Sequence, residues 1–130
     1  MIPVIFEHFE GKSICKTLGD ISKVLNTTVN GANDFIIYRD EKSYPYLELL
    51  VKDDKAFAYF FPDEEAAGYQ AYNAKISTND NNMTIFYMNT PTEEMYVPDR
   101  YVIQKEEAVQ IVMEFISTQA LPSCAEWEEL

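Results

Sequence analysis

The sequence predicts an α+β domain, a mostly antiparallel β-sheet of five or more strands packed against two main helices. Three observations carry that expectation. Between Phe35 and Asn89, apolar and aromatic residues recur with a period of two in short runs separated by turn residues. Two stretches with helical spacing bracket those runs, one ending near Leu25 and one spanning about 105–118. The 130 residues suffice for one domain, 1–130, that buries roughly two-thirds of its unfolded surface and needs no metal or disulfide to fold.

Residues 2–6 read as a short strand. Ser13 can cap a helix running to about Leu25, with Ile14, Leu18, Ile21 and Leu25 along one face. Asn30-Gly31 and Asn33-Asp34 punctuate a turn. Phe35–Arg39, Tyr46–Lys52 and Lys55–Phe61 are predicted strands, the last two joined through Asp53-Asp54 as a two-residue hairpin. Gly68–Ala74 and Met83–Asn89 are further strands flanking the polar cluster Asn79-Asp80-Asn81-Asn82.

Alternation assigns the faces. Leu47, Leu49 and Val51 share one side of their strand and Tyr46, Glu48 and Lys52 the other; Phe57, Tyr59 and Phe61 oppose Ala56, Ala58 and Phe60. The apolar side calls for helical cover. The second helix supplies it with Ala108, Val109, Ile111, Val112, Phe115 and Ile116. It carries Glu106 and Glu107 in its first turn, where the helix dipole favours carboxylates, and Leu121-Pro122 ends it.

Charge narrows the function classes. Ten Lys and Arg against 22 Asp and Glu leave a net charge of −12, which repels phosphate backbones and anionic membranes, so neither nucleic acid nor membrane is an expected partner. The start has no basic segment and its apolar run stops at Phe6, which predicts a mature cytoplasmic chain. In that reducing compartment Cys15 and Cys124 are expected as free thiols, at least one of them buried.

His8 is the single histidine, and a Cys15–His8 pair rests on nothing but its being drawable. The acid runs Asp53/Asp54, Asp63/Glu64/Glu65 and Glu93/Glu94 read as solvated turns, not as carboxyls facing across a cleft. Asn79–Asn82 lacks the spacing and terminal Glu of a calcium loop, and the four glycines form no phosphate loop. The expectation is a non-enzymatic chain with no catalytic residue, no metal and no cofactor.

Residues 97–130 read VPDRYVIQKEEAVQIVMEFISTQALPSCAEWEEL. A strand leading into an Ala-containing amphipathic helix, a short turn with Pro and then a Trp resembles the C-terminal signature of immunity family one of the bacterial polymorphic toxin systems. The matching positions are Val102, Glu107-Ala108, Phe115, Pro122 and Trp127. Gln119-Ala120 stands where that family usually has a Gly in the helix-ending turn, so this helix must end by another device. Ala108, Phe115, Pro122 and Trp127 are expected to maintain the scaffold, with Trp127 packing against the helix. Partner specificity then sits elsewhere.

The resemblance implies a protein that binds and neutralises a cognate secreted toxin domain, such as a nucleic-acid deaminase or nuclease, by blocking its active site. The free chain is expected to be a monomer or weak dimer. Asp63, Glu64 and Glu65, with Tyr69 and Tyr72 of the next strand, are the first candidate for the toxin-binding surface, and Glu93 and Glu94 the second; Tyr supplies contact area and the acids supply steering. Two other classes compete: a small ligand-binding domain or enzyme using a tyrosine face built from Tyr38, Tyr44, Tyr46 and Tyr59, and a nucleic-acid mimic that binds a host protein.

Overall fold

The computed structural model describes residues 1–39 and 44–130. In chain order its elements are β1 (Val4–His8), β2 (Gly11–Cys15), α1 (Leu18–Leu25), β3 (Ala32–Tyr38), β4 (Tyr46–Lys52), β5 (Lys55–Phe61), β6 (Tyr69–Tyr72), β7 (Met83–Tyr87), β8 (Glu94–Pro98), β9 (Ile103–Gln104), α2 (Lys105–Thr118) and β10 (Glu126–Glu129). Eight strands form one antiparallel sheet in the order β10-β6-β5-β4-β3-β1-β2, with β9 pairing the start of β5, and β7 and β8 form a separate two-stranded sheet. The α+β class with two helices is as the sequence predicts.

The first helix begins later than the sequence suggests. Ser13 lies in β2, its hydroxyl 2.9 Å from His8 Nε2, because the chain turns back after β1 and pairs Gly11–Cys15 against it. The strand alternation is visible in burial: Cys15 is buried while Ile14 is 60% exposed. The helix starts at Leu18, where Thr17 accepts from the Asp20 backbone N–H at 3.1 Å and Asp20 accepts from that of Thr17 at 3.2 Å, a reciprocal capping box. Its buried face is Ile21, Val24 and Leu25.

The turn after it obeys its residues. Asn30 and Gly31 adopt φ of 53° and 81°, the positive pair that a tight reversal of the type I′ kind requires, and Val29 and Ala32 exchange backbone hydrogen bonds across them. Gly31 is also sterically required, since a Cβ there would collide with the Asp53 carboxylate. In the β4–β5 hairpin, Asp53 accepts φ of 55°, a conformation Asp tolerates, and Lys52 pairs with Lys55.

The helices cover one face of the large sheet. Phe6, Phe35, Ile37, Leu47, Leu49, Val51, Ala56, Ala58 and Phe60 meet Ile21 of α1 and Ala108, Ile111, Val112 and Phe115 of α2 in the main core. Burying each of the larger side chains contributes about 1.5–3 kcal/mol. Val109, counted in the apolar stripe of α2, faces outward and is 37% exposed.

The opposite face carries a second, smaller core that alternation alone does not reveal. Leu50 and Phe57 are buried against Phe86 of β7 and Val97 of β8, with Val102 beside them. Met83–Tyr87 therefore leaves the large sheet, contrary to a single succession of strands. The free edge of β6 is taken by β10, which pairs Glu126–Glu129 against Tyr69–Tyr72, and β7 finds its partner in β8 across the turn from Met88 to Glu93.

Candidate functional site

The face away from the helices is divided between the β7–β8 hairpin and an open aromatic shelf. Period two places Tyr46 and Glu48 on that face of β4, and Phe57, Tyr59 and Phe61 on that face of β5. Their rings run in a continuous row: Tyr44 to Tyr46 at 5.2 Å, Tyr46 stacked on Phe61 at 4.8 Å, Phe61 to Tyr59 at 5.6 Å, Tyr59 to Phe57 at 4.5 Å. The row ends at Phe86, 6.5 Å from Phe57 beneath the hairpin. Tyr38 stands apart from this row, its hydroxyl donating to Glu7 at 2.5 Å; burial foremost, then that hydrogen bond, pushes it up to about 12.

Two carboxyl groups lie where shelf meets hairpin. Glu48 sits opposite Tyr59 on β5, and Asp34 is on the adjacent strand β3; both are buried. Asp34 accepts the backbone N–H of Asn89, in the hairpin turn, at 2.9 Å through one oxygen, while its other oxygen is buried with no hydrogen-bond partner among the described residues. Burial, and then the hydrogen bond and charge of Asp34, push the Glu48 carboxyl up to about 8. That shift leaves Glu48 holding its proton at neutral pH beside Asp34. Tyr46 and Tyr59 are pushed up as well, first by burial and further by neighbouring groups that include Glu48.

Acidic segments flank the shelf on two sides. Asp63, Glu64 and Glu65 are exposed one residue beyond the end of β5. Asp63 accepts the backbone N–H groups of Glu65 and Ala66 at 2.9 and 2.8 Å, fixing the turn and leaving Glu64 and Glu65 to solvent. At the hairpin tip Glu93 accepts from the Asn89 side chain at 2.8 Å, and Glu94 begins β8. Among the described residues the ion pairs are Lys52–Asp53 and Arg100–Glu128, so no described cation neutralises these five acids.

Tyr69 and Tyr72, grouped with the Asp63 cluster on sequence, lie on opposite faces of β6. Tyr69 packs toward the helices at 6.3 Å from Phe60, whereas Tyr72 is on the outer face with the Arg100 guanidinium 4.7 Å above its ring. The aromatic neighbour of the acid turn is Phe61, whose ring lies so close to Gly68 that a Cβ there would overlap it. The buried acids Asp34 and Glu48 were not among the candidates; the signal for Glu48 is a carboxyl alone in the apolar run Tyr46–Val51. Strand β8 was missed too, although Glu94-Met95-Tyr96-Val97 alternates as a strand does.

The C-terminal motif is structural in its contacts. Ala108 and Phe115 are fully buried, and Pro122 is buried. Trp127 is half-buried, meets Phe60 edge-to-face at 6.5 Å and donates its indole N–H to the Pro122 carbonyl at 2.7 Å. Helix α2 ends on Gln119 itself, which adopts a left-handed φ of 55° in place of the missing Gly and donates its backbone N–H to Phe115 at 2.7 Å.

The drawable nucleophilic pair does not form. Cys15 pairs with Val4 and His8 with Gly11, so the two sit at opposite ends of the β1–β2 ladder, four residues apart or about 13 Å. Cys15 is buried and Cys124 exposed; both thiols are pushed up, chiefly by burial and further by Asp20 and Glu114 respectively. Among the described residues no three His, Cys, Asp or Glu side chains gather as a metal site, and no helix is long and apolar enough to cross a membrane.

No protein-family model matches the chain. It is similar to the double-stranded DNA deaminase immunity protein of Burkholderia cenocepacia (strain H111), with 26% identity over 99 residues that cover 76% of this chain and 76% of that protein. An acidic, aromatic-rich outer face on a compact scaffold thus accompanies sequence similarity to an immunity protein.

Proposed function

We propose that this chain is an immunity protein of a bacterial toxin system, related to immunity family one, which binds a cognate toxin domain and neutralises it without chemistry of its own. The observation that carries the reading is the similarity to a double-stranded DNA deaminase immunity protein across three-quarters of both chains. The toxin we infer is one that acts on nucleic acid. Such a domain presents a basic groove, and a partner of charge −12 is drawn to it by long-range attraction before contact. The acid turn Asp63–Glu65 and the hairpin acids Glu93 and Glu94 are the steering groups, and occupation of the groove or its entrance blocks access to the active site. The neutralisation takes place in the cytoplasm, on a chain that is a monomer or weak dimer when free.

The alternative of a ligand site on the tyrosine face is less favoured because its rings stack on one another and so occupy the shelf themselves. The test is protection. Cells induced to make a candidate cognate toxin, sought as the variable C-terminal domain of a secreted protein encoded upstream, should stop growing, and co-expression of this chain should restore growth. Unrelieved toxicity with both proteins soluble would overturn the reading.

A further inference from the structure

We propose that the solvent-facing side of the β7–β8 hairpin is the anchoring surface for the cationic toxin domain. The inference rests on the immunity reading above and assigns the surface that carries most of the contact. The hairpin has two unlike sides. Phe86 and Val97 point into the sheet and are buried, while the register places Met83, Ile85 and Tyr87 of β7 with Glu94 and Tyr96 of β8 on the other side. Of these, Met83 is 55%, Ile85 37% and Tyr96 60% exposed. Met, Tyr and Ile on one ribbon, with acids at its end, have the apolar centre and polar rim of a protein interface.

Charge selects the occupant. The 24 residues from Ile76 to Asp99 contain no Lys or Arg and carry Asp80, Glu93, Glu94 and Asp99. The next cation along the chain, Arg100, turns away from the hairpin to Tyr72, the Ile76 carbonyl and Glu128. A second exposed apolar group lies on the helix side at Leu18 and Val109, but there Lys16, Lys23 and Lys105 nearly balance Asp20, Glu106, Glu107 and Glu114 of the same segments. A basic partner is attracted more strongly at the hairpin, where no cation offsets the acids. An aromatic anchor such as Tyr96, opposite Ile85 and with its hydroxyl donating to Glu94 at 3.4 Å, is the residue type on which binding energy concentrates.

The experiment uses the full chain and the toxin domain identified by that protection test. Tyr96→Ala with Ile85→Ala should raise Kd by about tenfold or more through faster dissociation, whereas Leu18→Ser on the helix side should change it less than about twofold. Hydrogen exchange of the wild-type complex should show slowed exchange in residues 83–98, a readout that needs no variant to fold. If wild type does not bind, the immunity reading falls and this proposal with it. If wild type binds while the doubly substituted hairpin variant binds as tightly and residues 83–98 are unprotected, the proposal alone falls. A free-chain dimer dissolved by Tyr96→Ala, with toxin binding unchanged, would assign the face to a second copy and likewise overturn it.

Discussion

Asn89 donates its backbone N–H to Asp34 at 2.9 Å across 55 residues of sequence, tying the turn of the β7–β8 hairpin to the centre of the large sheet. One oxygen of that carboxyl holds the hairpin, and the other is buried with no hydrogen-bond partner among the described residues. Asp34→Ala should therefore destabilise the fold by about 1–3 kcal/mol, the cost of orphaning a buried donor. Amide exchange at Asn89 should accelerate. An unchanged denaturation midpoint would show that the hairpin is held by its apolar contacts alone.

Glu48 gives the fold a pH dependence of definite sign. Its carboxyl titrates at about 8 in the folded chain, against an ordinary value of 4.5. Between those values the folded state holds a proton that the unfolded state has released, so stability is fully present below about 4.5 and falls as pH rises toward 8. The slope is about −1.4 kcal/mol per pH unit at most for this group. Glu48→Gln, which keeps a donor for Asp34, should flatten that loss between pH 5 and 8. Parallel profiles for the two proteins would show that Glu48 ionises normally.

Gln119 offers a gain in stability. A non-glycine residue at a left-handed φ of 55° pays a steric cost that Gly does not, partly offset here by the side chain's 3.2 Å bond to the Phe115 carbonyl. Gln119→Gly should stabilise by about 0.5–1 kcal/mol, read from chemical denaturation. A loss of stability would mean that the side-chain bond outweighs the strain.

Trp127 closes the C-terminal strand onto the core. Because it is half-buried, Trp127→Ala should cost about 2–3 kcal/mol, below the range for a fully buried ring. Trp127→Phe, which keeps a ring against Phe60 and loses the bond to Pro122, should cost about 1 kcal/mol. No change for either variant would place the indole outside the fold's energetics and make it available to a partner.

The parts of the fold that were legible in the sequence are those where local pattern and tertiary environment agree. Strands β4 and β5 and helix α2 begin and end where alternation, the Asp53-Asp54 turn and the Pro122 stop put them. Ser13 misled because Ile14, Leu18, Ile21 and Leu25 mimic a helical face, although Ile14 and Leu18 are exposed in the fold. The placement of β10 depended on pairing with β6 across a long stretch of chain, and that of β7 on the burial of Phe86 with Leu50 and Phe57, neither of which a local period encodes. The site divided the same way. Asp63–Glu65 and Glu93–Glu94 stand exposed as short polar turns do, but which tyrosine accompanies them was decided by the face each occupies on β6, and the Asp34–Glu48 pair exists only once β3 and β4 are side by side.

Steering by the acid turn is separable from anchoring. The triple variant Asp63→Lys, Glu64→Lys and Glu65→Lys should bind the toxin domain more slowly than wild type at low salt, with a shallower dependence on ionic strength and an unchanged fold. Identical association rates and salt slopes for the two would move the steering field to Glu93, Glu94 and the rest of the acidic surface.

The central claim is direct, stoichiometric neutralisation. The measurement is the activity of the purified upstream-encoded toxin domain, at fixed concentration, as this chain is added. The account predicts a linear fall to zero at one equivalent, with a complex of both proteins recovered at that point. Full toxin activity in the presence of a large excess of folded chain would contradict it.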